Sequence, residues 1–323
     1  MVDASFDTLP YIKEEIMPKL YTLFTEGDVA FADASEDTND VAKAIEIINC
    51  DSQQIVSGLH TIHGRDNSNQ TIIGYKGYAF ASKAFHKQIR RIAQGTKVFS
   101  ISVRNFDEVY IGIPSKEEQA KIAKLLIAID KRIASQNKII EKLQSLIKGI
   151  AQNIVHRNKP NVRISQCLEC SSSTLQESDV LECGAYPVYG ANGVVGFLDN
   201  YNTSNEAIYI IKDGSGVGAV SYVAGKCSAT GTLNILQAKK GFSLRYLYYL
   251  LNIFNFEPYK TGMAIPHIYF KDYGKAQIFC PSYSEQLKYA KFLATIDDKL
   301  LTEQNVLINL SLLKQYLLRQ MFI

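Results

Sequence analysis

The chain has 323 residues, 46% of them hydrophobic and 21% charged, so it is long enough for two domains that each bury a core. No apolar run approaches the roughly 20 residues that cross a membrane, and the N-terminus lacks the basic-then-apolar order of a secretory signal. A net charge of only +3 excludes a uniformly basic surface for polyanions. We therefore expect a soluble, cytoplasmic protein, not a membrane protein, in which any surface for a polyanion is local.

Residues 1–112 predict a first β-rich module. Its clearest strand is Gly27–Ala32, the loop 33–37 follows, and the apolar spacing of residues 79–93 predicts a helix. A long helix over residues 113–157 comes next, since Pro114 is suited to a helix start. Apolar residues recur along this helix in steps of three and four, which is typical of a coiled-coil seam with one polar interruption. The seam includes Ile129, Ile133, Gln136, Ile140 and Leu143.

Residues 158–279 predict a second β-rich module, in which short apolar runs alternate with turn signals. The expected strands are 186–189, 194–198, 207–211 and 219–223, and the expected helix is 244–255, the counterpart of residues 79–93 in the first module. About 49 residues, 158–206, precede the third of these strands, whereas only 26 precede Gly27 in the first module. The first module is therefore expected to lack its opening strands, which would leave a sheet edge or a core face uncovered.

A second long helix over residues 280–323 repeats the first. Residues 95–133 recur at 262–300 without a gap, because 281 − 114 = 167 and the same offset pairs Gln119 with Gln286 and Asp130 with Asp297. The seam recurs as Ile296, Leu300, Glu303, Leu307 and Leu310, while Lys314 at another seam position has no evident partner. A globular stretch joins the two helices, which favours antiparallel packing. The predicted fold is α+β: two β-rich domains separated by two long helices that form an antiparallel coiled coil.

The residues do not compose a catalytic site. Cys167-Leu-Glu-Cys170 and Cys183 have no second Cys-x-x-Cys or paired histidine, so reduced thiols are favoured over a zinc site. The glycine-rich residues 213–219 lead into a predicted strand, which leaves no helix N-terminus for a nucleotide phosphate. His60 and His63 lie three residues apart on an extended segment and point to opposite faces. We expect no cofactor and no metal.

These features together resemble the DNA-specificity subunits of type I restriction-modification systems. The resemblance covers nearly the whole chain, and it depends on the order and duplication of motifs that are individually weak. The matching stretches are Pro114–Gln119 with Leu126 and Asp130, Pro281–Gln286 with Leu293 and Asp297, residues 26–35, 56–61, 95–102, 186–190, 213–216 and 262–267.

The resemblance implies a non-catalytic bacterial or archaeal subunit whose two target-recognition domains read the halves of a bipartite site in double-stranded DNA. It also implies that the helices act as a spacer and dock methyltransferase subunits, while a restriction and motor subunit cleaves elsewhere. Side chains able to reach base edges or phosphates are the candidates for DNA contact. They are Arg65, Asn67, Lys83, Lys87, Arg90, Arg91, Asn192, Lys212, Ser215, Lys239, Lys240, Arg245 and Lys260.

Two other interpretations remain open at this point. A chain with an incomplete first module could read one half-site as a homodimer, or could occupy methyltransferase subunits without productive DNA reading. A free-standing adenine methyltransferase is the second alternative, although residues 255–259, Asn-Phe-Glu-Pro-Tyr, match its Asn/Asp-Pro-Pro-Tyr motif only in part.

Overall fold

The computed structural model describes residues 1–13, 15 and 21–322, which divide into two compact units. Unit 1 comprises residues 1–137 and 305–323, and unit 2 comprises residues 138–304. Within the described residues, no helix is both long and apolar enough to cross a membrane. The missing opening strands predicted for the first module concern residues 1–26, of which 14 and 16–20 lie outside the described residues.

Unit 1 contains short strands around a four-stranded sheet of order β1-β5-β3-β7, in which β1 is parallel to β5 and the other neighbours are antiparallel. Two further pairs, β2 with β6 and β4 with β8, are antiparallel. The strands are β1 Val2–Asp3, β2 Leu23–Phe24, β3 Val29–Ala32, β4 Ala34–Ser35, β5 Ala44–Asn49, β6 Ile55–Val56, β7 Thr61–Gly64 and β8 Phe99–Ser100.

The helices of unit 1 are α1 Lys76–Ala79, α2 Lys83–Ile92, the first part of α3 Lys116–His156 and the last part of α7 Tyr283–Met321. The sequence predicted a helix over residues 79–93, and α2 forms within this range, but it begins four residues later than predicted. Ser82 is extended and its hydroxyl accepts a hydrogen bond from the Phe85 amide, so it caps a new helix instead of continuing α1. Phe85 and Ile89 of α2 pack under β3 against Val29 and Phe31.

Unit 2 contains a four-stranded sheet of order β10-β16-β13-β14, a three-stranded sheet of order β12-β11-β15 and the pair β17 with β9. The strands are β9 Val162–Arg163, β10 Leu168–Ser172, β11 Tyr186–Gly190, β12 Gly193–Leu198, β13 Ala207–Ile211, β14 Val220–Val223, β15 Ser228–Ala229, β16 Leu233–Ala238 and β17 Gln277–Ile278. The predicted strands of the second module therefore form close to their expected positions.

The helices of unit 2 are α4 Ile164–Cys167, α5 Leu244–Leu251, α6 Phe270–Tyr273, the second part of α3, and most of α7 Tyr283–Met321. One face of β13 packs on α4 and α5 through Ile208 and Ile210. The other face packs on the three-stranded sheet through Tyr209, which is fully buried beside Ala229.

Both long helices form where the sequence predicts them, and none of the ten predicted seam residues is exposed. The helices run in opposite directions within each unit. In unit 1, Asp130 pairs with Lys314, whereas the earlier residues Ile122 and Leu126 pack with the later residues 317–322. In unit 2, Ile154 shares a cluster with Ala290. The predicted α+β class with long helices is confirmed.

The four-stranded sheets correspond through their central strands. Val29 and Phe31 of β3 face the helices of unit 1 as Ile208 and Ile210 of β13 face those of unit 2. The first following strand that pairs with β3 is β5 and the second is β7, whereas β13 pairs first with β14 and then with β16. Therefore β5 corresponds to β14 and β7 to β16. In unit 2, β16 pairs on its outer side with β10 along five residues. In the described part of unit 1, β7 has no neighbour on that side, and no three-stranded sheet covers β3.

Candidate nucleic-acid interface

In unit 2, a buried glutamine fastens the β-rich module to the start of α7. The side-chain oxygen of Gln286 accepts a hydrogen bond from the Ser243 amide at 2.9 Å, and its nitrogen donates to the Pro281 carbonyl at 2.9 Å. The Tyr246 hydroxyl donates to the Phe279 carbonyl at 3.0 Å. Because Gln286 is 2% exposed, these bonds are shielded from water and hold α5 against the helix start.

Unit 1 repeats this arrangement with equivalent residues. The Gln119 oxygen accepts from the Ile72 amide at 3.0 Å, and its nitrogen donates to the Pro114 carbonyl at 2.8 Å. The Tyr75 hydroxyl donates to the Gly112 carbonyl at 2.8 Å. The partners on the helix side are related by the offset 167, whereas those on the module side are related by 243 − 72 = 171.

A tyrosine about one helical turn after the first tyrosine, and an aspartate about three turns after the glutamine, complete each arrangement. Tyr78 donates to the Asp130 carboxylate at 2.8 Å, and Tyr249 donates to the Asp297 carboxylate at 3.1 Å. Burial raises the pKa of both phenols, and the neighbouring carboxylate raises it further, so both hydroxyls stay protonated and donate. We call each set of one glutamine, two tyrosines and one aspartate a joint.

The two aspartates receive their positive partners from different places. Lys314 of α7 pairs with Asp130 and lies 5.6 Å from the centre of the Tyr78 ring, which explains a lysine at a seam position. Arg245 of α5 pairs with Asp297 at 3.0 Å, and its guanidinium lies 4.3 Å from the centre of the Tyr222 ring.

The joints correct one correspondence suggested by the sequence. Residues 79–93 were expected to match the helix at 244–255, but α5 corresponds to residues 72–80 around α1. The tyrosine spacing of Ser243-x-x-Tyr246-x-x-Tyr249 recurs in Ile72-x-x-Tyr75-x-x-Tyr78. The correspondence was missed because the shift of the offset from 167 to 171 lies in the modules, outside the ungapped repeat, and this tyrosine spacing is the signal that could have found it.

The helix α2 presents the most cationic surface among the predicted contact residues. Lys83, Lys87, Arg90 and Arg91 are all exposed, and α2 contains no acidic residue. Arg90 donates to the Asn39 side chain at 2.8 Å, and no ion pair to any of the four is found in the described part of the chain. Such a face attracts phosphates without competition from internal carboxylates.

The candidates of unit 2 lie on several separate loops. Asn192 is exposed at the tip of the β11–β12 hairpin, where Gly193 adopts a φ of +97°, and Ser215 is exposed in the glycine-rich turn. Lys212 is half-buried, Lys240 is exposed, and Lys239 is exposed but donates to the Ser165 carbonyl at 2.8 Å. The structure does not bring these residues onto one element as it does on α2.

Three predicted contact residues already have internal acidic partners. Arg65 binds Asp28, with its Nε at 2.9 Å from Oδ1, Lys260 pairs with Glu257, and Arg245 pairs with Asp297. Burial alone would raise the pKa of Asp28, but hydrogen bonds from Arg65, His63 and Thr25 outweigh it and hold that pKa well below its usual range. Asn67 is exposed in the loop after Arg65.

The groups considered for metal or nucleotide binding do not converge. Among the described residues, no group of three or more His, Cys, Asp or Glu side chains is arranged to hold a metal ion. His63 contacts Asp28 and His60 contacts Asp33, each on its own. Cys167 is buried, with its Sγ 3.8 Å from that of Cys280. Residues 220–223 after the glycine-rich turn form the strand β14.

Comparison with known proteins gives one consistent family. The model of the type I restriction modification DNA specificity domain matches twice, over residues 4–145 and 161–310. A Mycoplasma genitalium protein named as a type I specificity subunit is 24% identical over 267 residues, which is 75% of this chain and 69% of that protein. The Escherichia coli EcoprrI specificity subunit is 25% identical over 129 residues, 40% of this chain and 31% of that subunit.

Solved structures show the same fold. The S subunit of a type I restriction-modification system from M. genitalium superposes with a TM-score of 0.65 at 19% identity, covering 94% of this chain and 84% of that one. A chain from a structure of complex assembly and conformational transition of the type I R-M system has a TM-score of 0.56 at 16% identity, covering 95% and 84%.

Proposed function

The chain belongs to the family of type I restriction-modification DNA-specificity subunits, and from this premise we propose which parts of it read DNA and which bind partners. Specificity subunits are non-catalytic and recognise DNA sequence within a complex. The proposed recognition domains are residues 1–112 and 158–279, each reading one part of a bipartite site in double-stranded DNA. The proposed spacers are residues 113–157 and 280–323, and the proposed place of action is the cytoplasm, where such DNA is found.

The observation that carries the assignment of a DNA surface is the cationic face of α2. Four exposed cations on ten residues, without an acidic residue on the helix, suit a phosphate backbone. The more scattered residues Asn192, Ser215 and Lys240 are the proposed contacts of the second domain. Arg65, Arg245 and Lys260 are not proposed as direct DNA contacts; we propose that each mainly orients its acidic partner.

The salt dependence of DNA binding tests this assignment. A variant with Lys83, Lys87, Arg90 and Arg91 all changed to Gln should bind duplex DNA more weakly, and the slope of log K against log salt should fall by about 0.9 for each phosphate that the helix no longer neutralises. The matched control changes Lys121, Lys124, Lys288 and Lys291, four exposed lysines of the long helices, to Gln. An unchanged slope in the α2 variant, or an equal fall in the control, would contradict the assignment.

A duplicated surface on the long helices supports the proposal that two copies of one partner dock here. Lys121 and Lys124 recur as Lys288 and Lys291, and all four are exposed without an ion pair among the described residues. Leu125 is 43% exposed and its counterpart Phe292 is 55% exposed. Exposed apolar residues ringed by charge are typical of protein interfaces, and we propose methyltransferase subunits as the partners.

Stoichiometry tests the docking proposal. Leu125→Asp or Phe292→Asp alone should each remove one methyltransferase subunit from the complex, and the double variant should remove both, as measured by sedimentation. Ala134→Asp, at another exposed position of α3, is the control and should leave the complex intact. Loss of both subunits in either single variant would argue against two equivalent docking surfaces. A restriction and motor subunit is proposed to join through the methyltransferase complex.

The methylated sequence distinguishes the main proposal from its runner-up. The absence of a second sheet over β3 in the described part of unit 1 favours, as the runner-up, a chain that reads one half-site as a homodimer. Sequencing of DNA methylated by the chain with its methyltransferase should show a bipartite, asymmetric motif. A palindromic motif would support the homodimer, and no methylation would support a non-productive partner.

A further inference from the structure

Unit 1 contains an open, mainly apolar cavity of about 330 Å³ beside β7. Its apolar walls include Val29, Phe31, Phe80, Phe106 and Ile111, and its polar lining residues are His63, Arg65, Asp66, Thr71 and Lys76. Val103 and Ile113 at the same cavity are 69% and 44% exposed. An apolar space of this size that none of the described residues fills is uncommon in a folded module, because protein interiors are normally close-packed.

The corresponding space in unit 2 is filled. The offset 167 relates Phe106, Ile111 and Ile113 to Tyr273, Ile278 and Cys280, which are buried in one cluster. The joint relates Phe80 to Leu251, and the central strands relate Val29 and Phe31 to Ile208 and Ile210, all in the same cluster.

The residues that fill it come from one short segment. Ile164, Cys167 and Leu168, which belong to α4 and the start of β10, complete that cluster, and each is 0% exposed. Six of the residues that line the cavity in unit 1, namely Val29, Phe31, Phe80, Phe106, Ile111 and Ile113, thus match members of the cluster that this segment completes in unit 2.

The backbone beside the cavity also lacks, among the described residues, the hydrogen bonds that the equivalent backbone makes in unit 2. In unit 2, Ile278 pairs with Val162, and the Asn161 side chain bonds both the amide and the carbonyl of Cys280 at 2.8 Å. In unit 1, the equivalent residues Ile111 and Ile113 make no backbone hydrogen bond to any residue that the structure describes. The free side of β7 lies next to this stretch. Both edges could accept an added strand.

We propose that this cavity receives a segment of a partner polypeptide with the pattern of residues 161–170: a residue pair that bonds the backbone around Ile111, one helical turn, and a strand that pairs with β7. Its side chains at the positions of Ile164, Cys167 and Leu168 would enter the cavity. A second copy of this chain does not fit as the source, because its own segment is buried in unit 2. The proposal is independent of DNA binding, and its test contains no DNA.

The test is binding of a synthetic peptide with the sequence of residues 161–172 to the full chain. Fluorescence anisotropy of the labelled peptide should give a dissociation constant on the order of 10 µM. A control peptide with Ile164→Asp and Leu168→Asp should bind at least roughly a hundredfold more weakly, because each buried aliphatic side chain contributes about tenfold or more.

A covalent trap tests the position without relying on affinity. The Sγ atoms of Cys280 and Cys167 lie 3.8 Å apart in unit 2, and Ile113 takes the place of Cys280 in unit 1. Under a mild oxidant such as oxidised glutathione, two thiols lose two electrons and two protons to form one disulfide. The Ile113→Cys chain should form this bond with a peptide carrying Cys170→Ser, and the exposed Cys183 is changed to Ser in both chains compared.

Each outcome decides the proposal. Anisotropy and trapping that both depend on Ile164 and Leu168 of the peptide support it. Equal binding of the control peptide, or equal trapping in the chain that keeps Ile113, overturns it. A concentration-dependent dimer that Ile113→Cys labelling disrupts, with no peptide bound, would assign the cavity to a second copy and also overturn it.

Discussion

The two joints share their geometry but not their charges. In each unit a glutamine, two tyrosines and an aspartate hold the β-rich module to a long helix through matching hydrogen bonds. The positive partner of the aspartate comes from α7 in unit 1 and from α5 in unit 2. The comparison teaches that the duplicated chain has kept the bonded atoms in place, while the source of the counterion has changed.

Unit 1 has no arginine at the position equivalent to Arg245, and a residue of the neighbouring strand β5 explains why. The counterpart of Arg245 is Gly74, which has a φ of +89°, a conformation that a side chain adopts only with strain. The Gly74 amide donates at 2.9 Å to Glu46, a buried carboxylate that stands where unit 2 has Tyr222. A tight turn around Glu46 thus replaces the stacked Arg245 and Tyr222, and the cation must come from elsewhere.

The outer faces of the two sheets also differ. In unit 2 this face is apolar, with Tyr209 and Ile235 buried beneath the three-stranded sheet. In unit 1 the equivalent positions are Ala30 and His63, and the adjacent Asp28 is 2% exposed and bonded to His63 and Arg65. A polar cluster therefore occupies this face of unit 1, and two of its members, His63 and Arg65, also line the cavity.

The largest expected effect is at Asp28. Asp28→Ala should lower the free energy of unfolding by about 3 kcal/mol at pH 7, because it leaves His63 and Arg65 without their buried acceptor. Urea unfolding measures the loss. Asp107→Ala, at an exposed position of the same unit, is the control and should change stability by less than about 0.5 kcal/mol.

The same variant has a defined pH dependence. The pKa of Asp28 in the folded chain lies below its ordinary value of 3.8, so its contribution is complete well above pH 3.8 and is lost as the pH falls through the folded pKa. The stability difference between Asp28→Ala and the unaltered chain should be constant from pH 7 to about pH 5 and should narrow below pH 4. A stability difference that widens as the pH falls would contradict a stabilising interaction of the Asp28 carboxylate with His63 and Arg65.

The second effect tests whether the joints are equivalent. Gln119→Ala and Gln286→Ala should each cost about 2 kcal/mol, because each leaves a backbone amide and a carbonyl without partners in a buried place. Gln144→Ala, at an exposed position of α3, controls for the loss of a helical glutamine. Hydrogen exchange should show the loss in unit 1 for the first variant and in unit 2 for the second. A cost in only one variant would mean that one joint is dispensable.

A smaller effect separates the two sources of positive charge. Lys314→Ala should cost about 1 kcal/mol, because its ion pair with Asp130 is partly exposed. Arg245→Ala should cost more, about 2 kcal/mol, since it also loses the stacking on Tyr222. Double-mutant cycles with Asp130→Asn and Asp297→Asn measure the two couplings. Equal couplings would remove the proposed difference between the units.

The smallest effect is on the stability of α2. The Gln substitutions at Lys83, Lys87, Arg90 and Arg91 should change the free energy of unfolding by less than about 0.5 kcal/mol, since the side chains are exposed and unpaired with acids. Thermal unfolding checks this. Destabilisation beyond about 1 kcal/mol would mean that these cations serve the fold of unit 1, in contrast to Arg245 in unit 2.

Regular patterns made most of the architecture predictable. The seam from Ile129 to Leu143 and its copy at residue 296 onward follow the period of a helix, and local periodicity decides which face is buried. The strands at 186–189 and 207–211 lie between clear turn signals. Ser82 was not recognised as a helix cap, so the predicted start of α2 is four residues too early. The residues that face DNA remain predictions, because exposure of a lysine or arginine does not by itself show a contact.

The sequence by itself determined the duplication, the two long helices and the family, because these depend on residue order and short-range periodicity. Tertiary structure alone decided the partners of Asp130 and Asp297, the pairing of Arg65 with Asp28, and the cavity beside β7. These features join residues that are far apart in the chain, such as Lys314 and Asp130. Their identity depends on which side chains the folded backbone brings within bonding distance, and no local pattern encodes that distance.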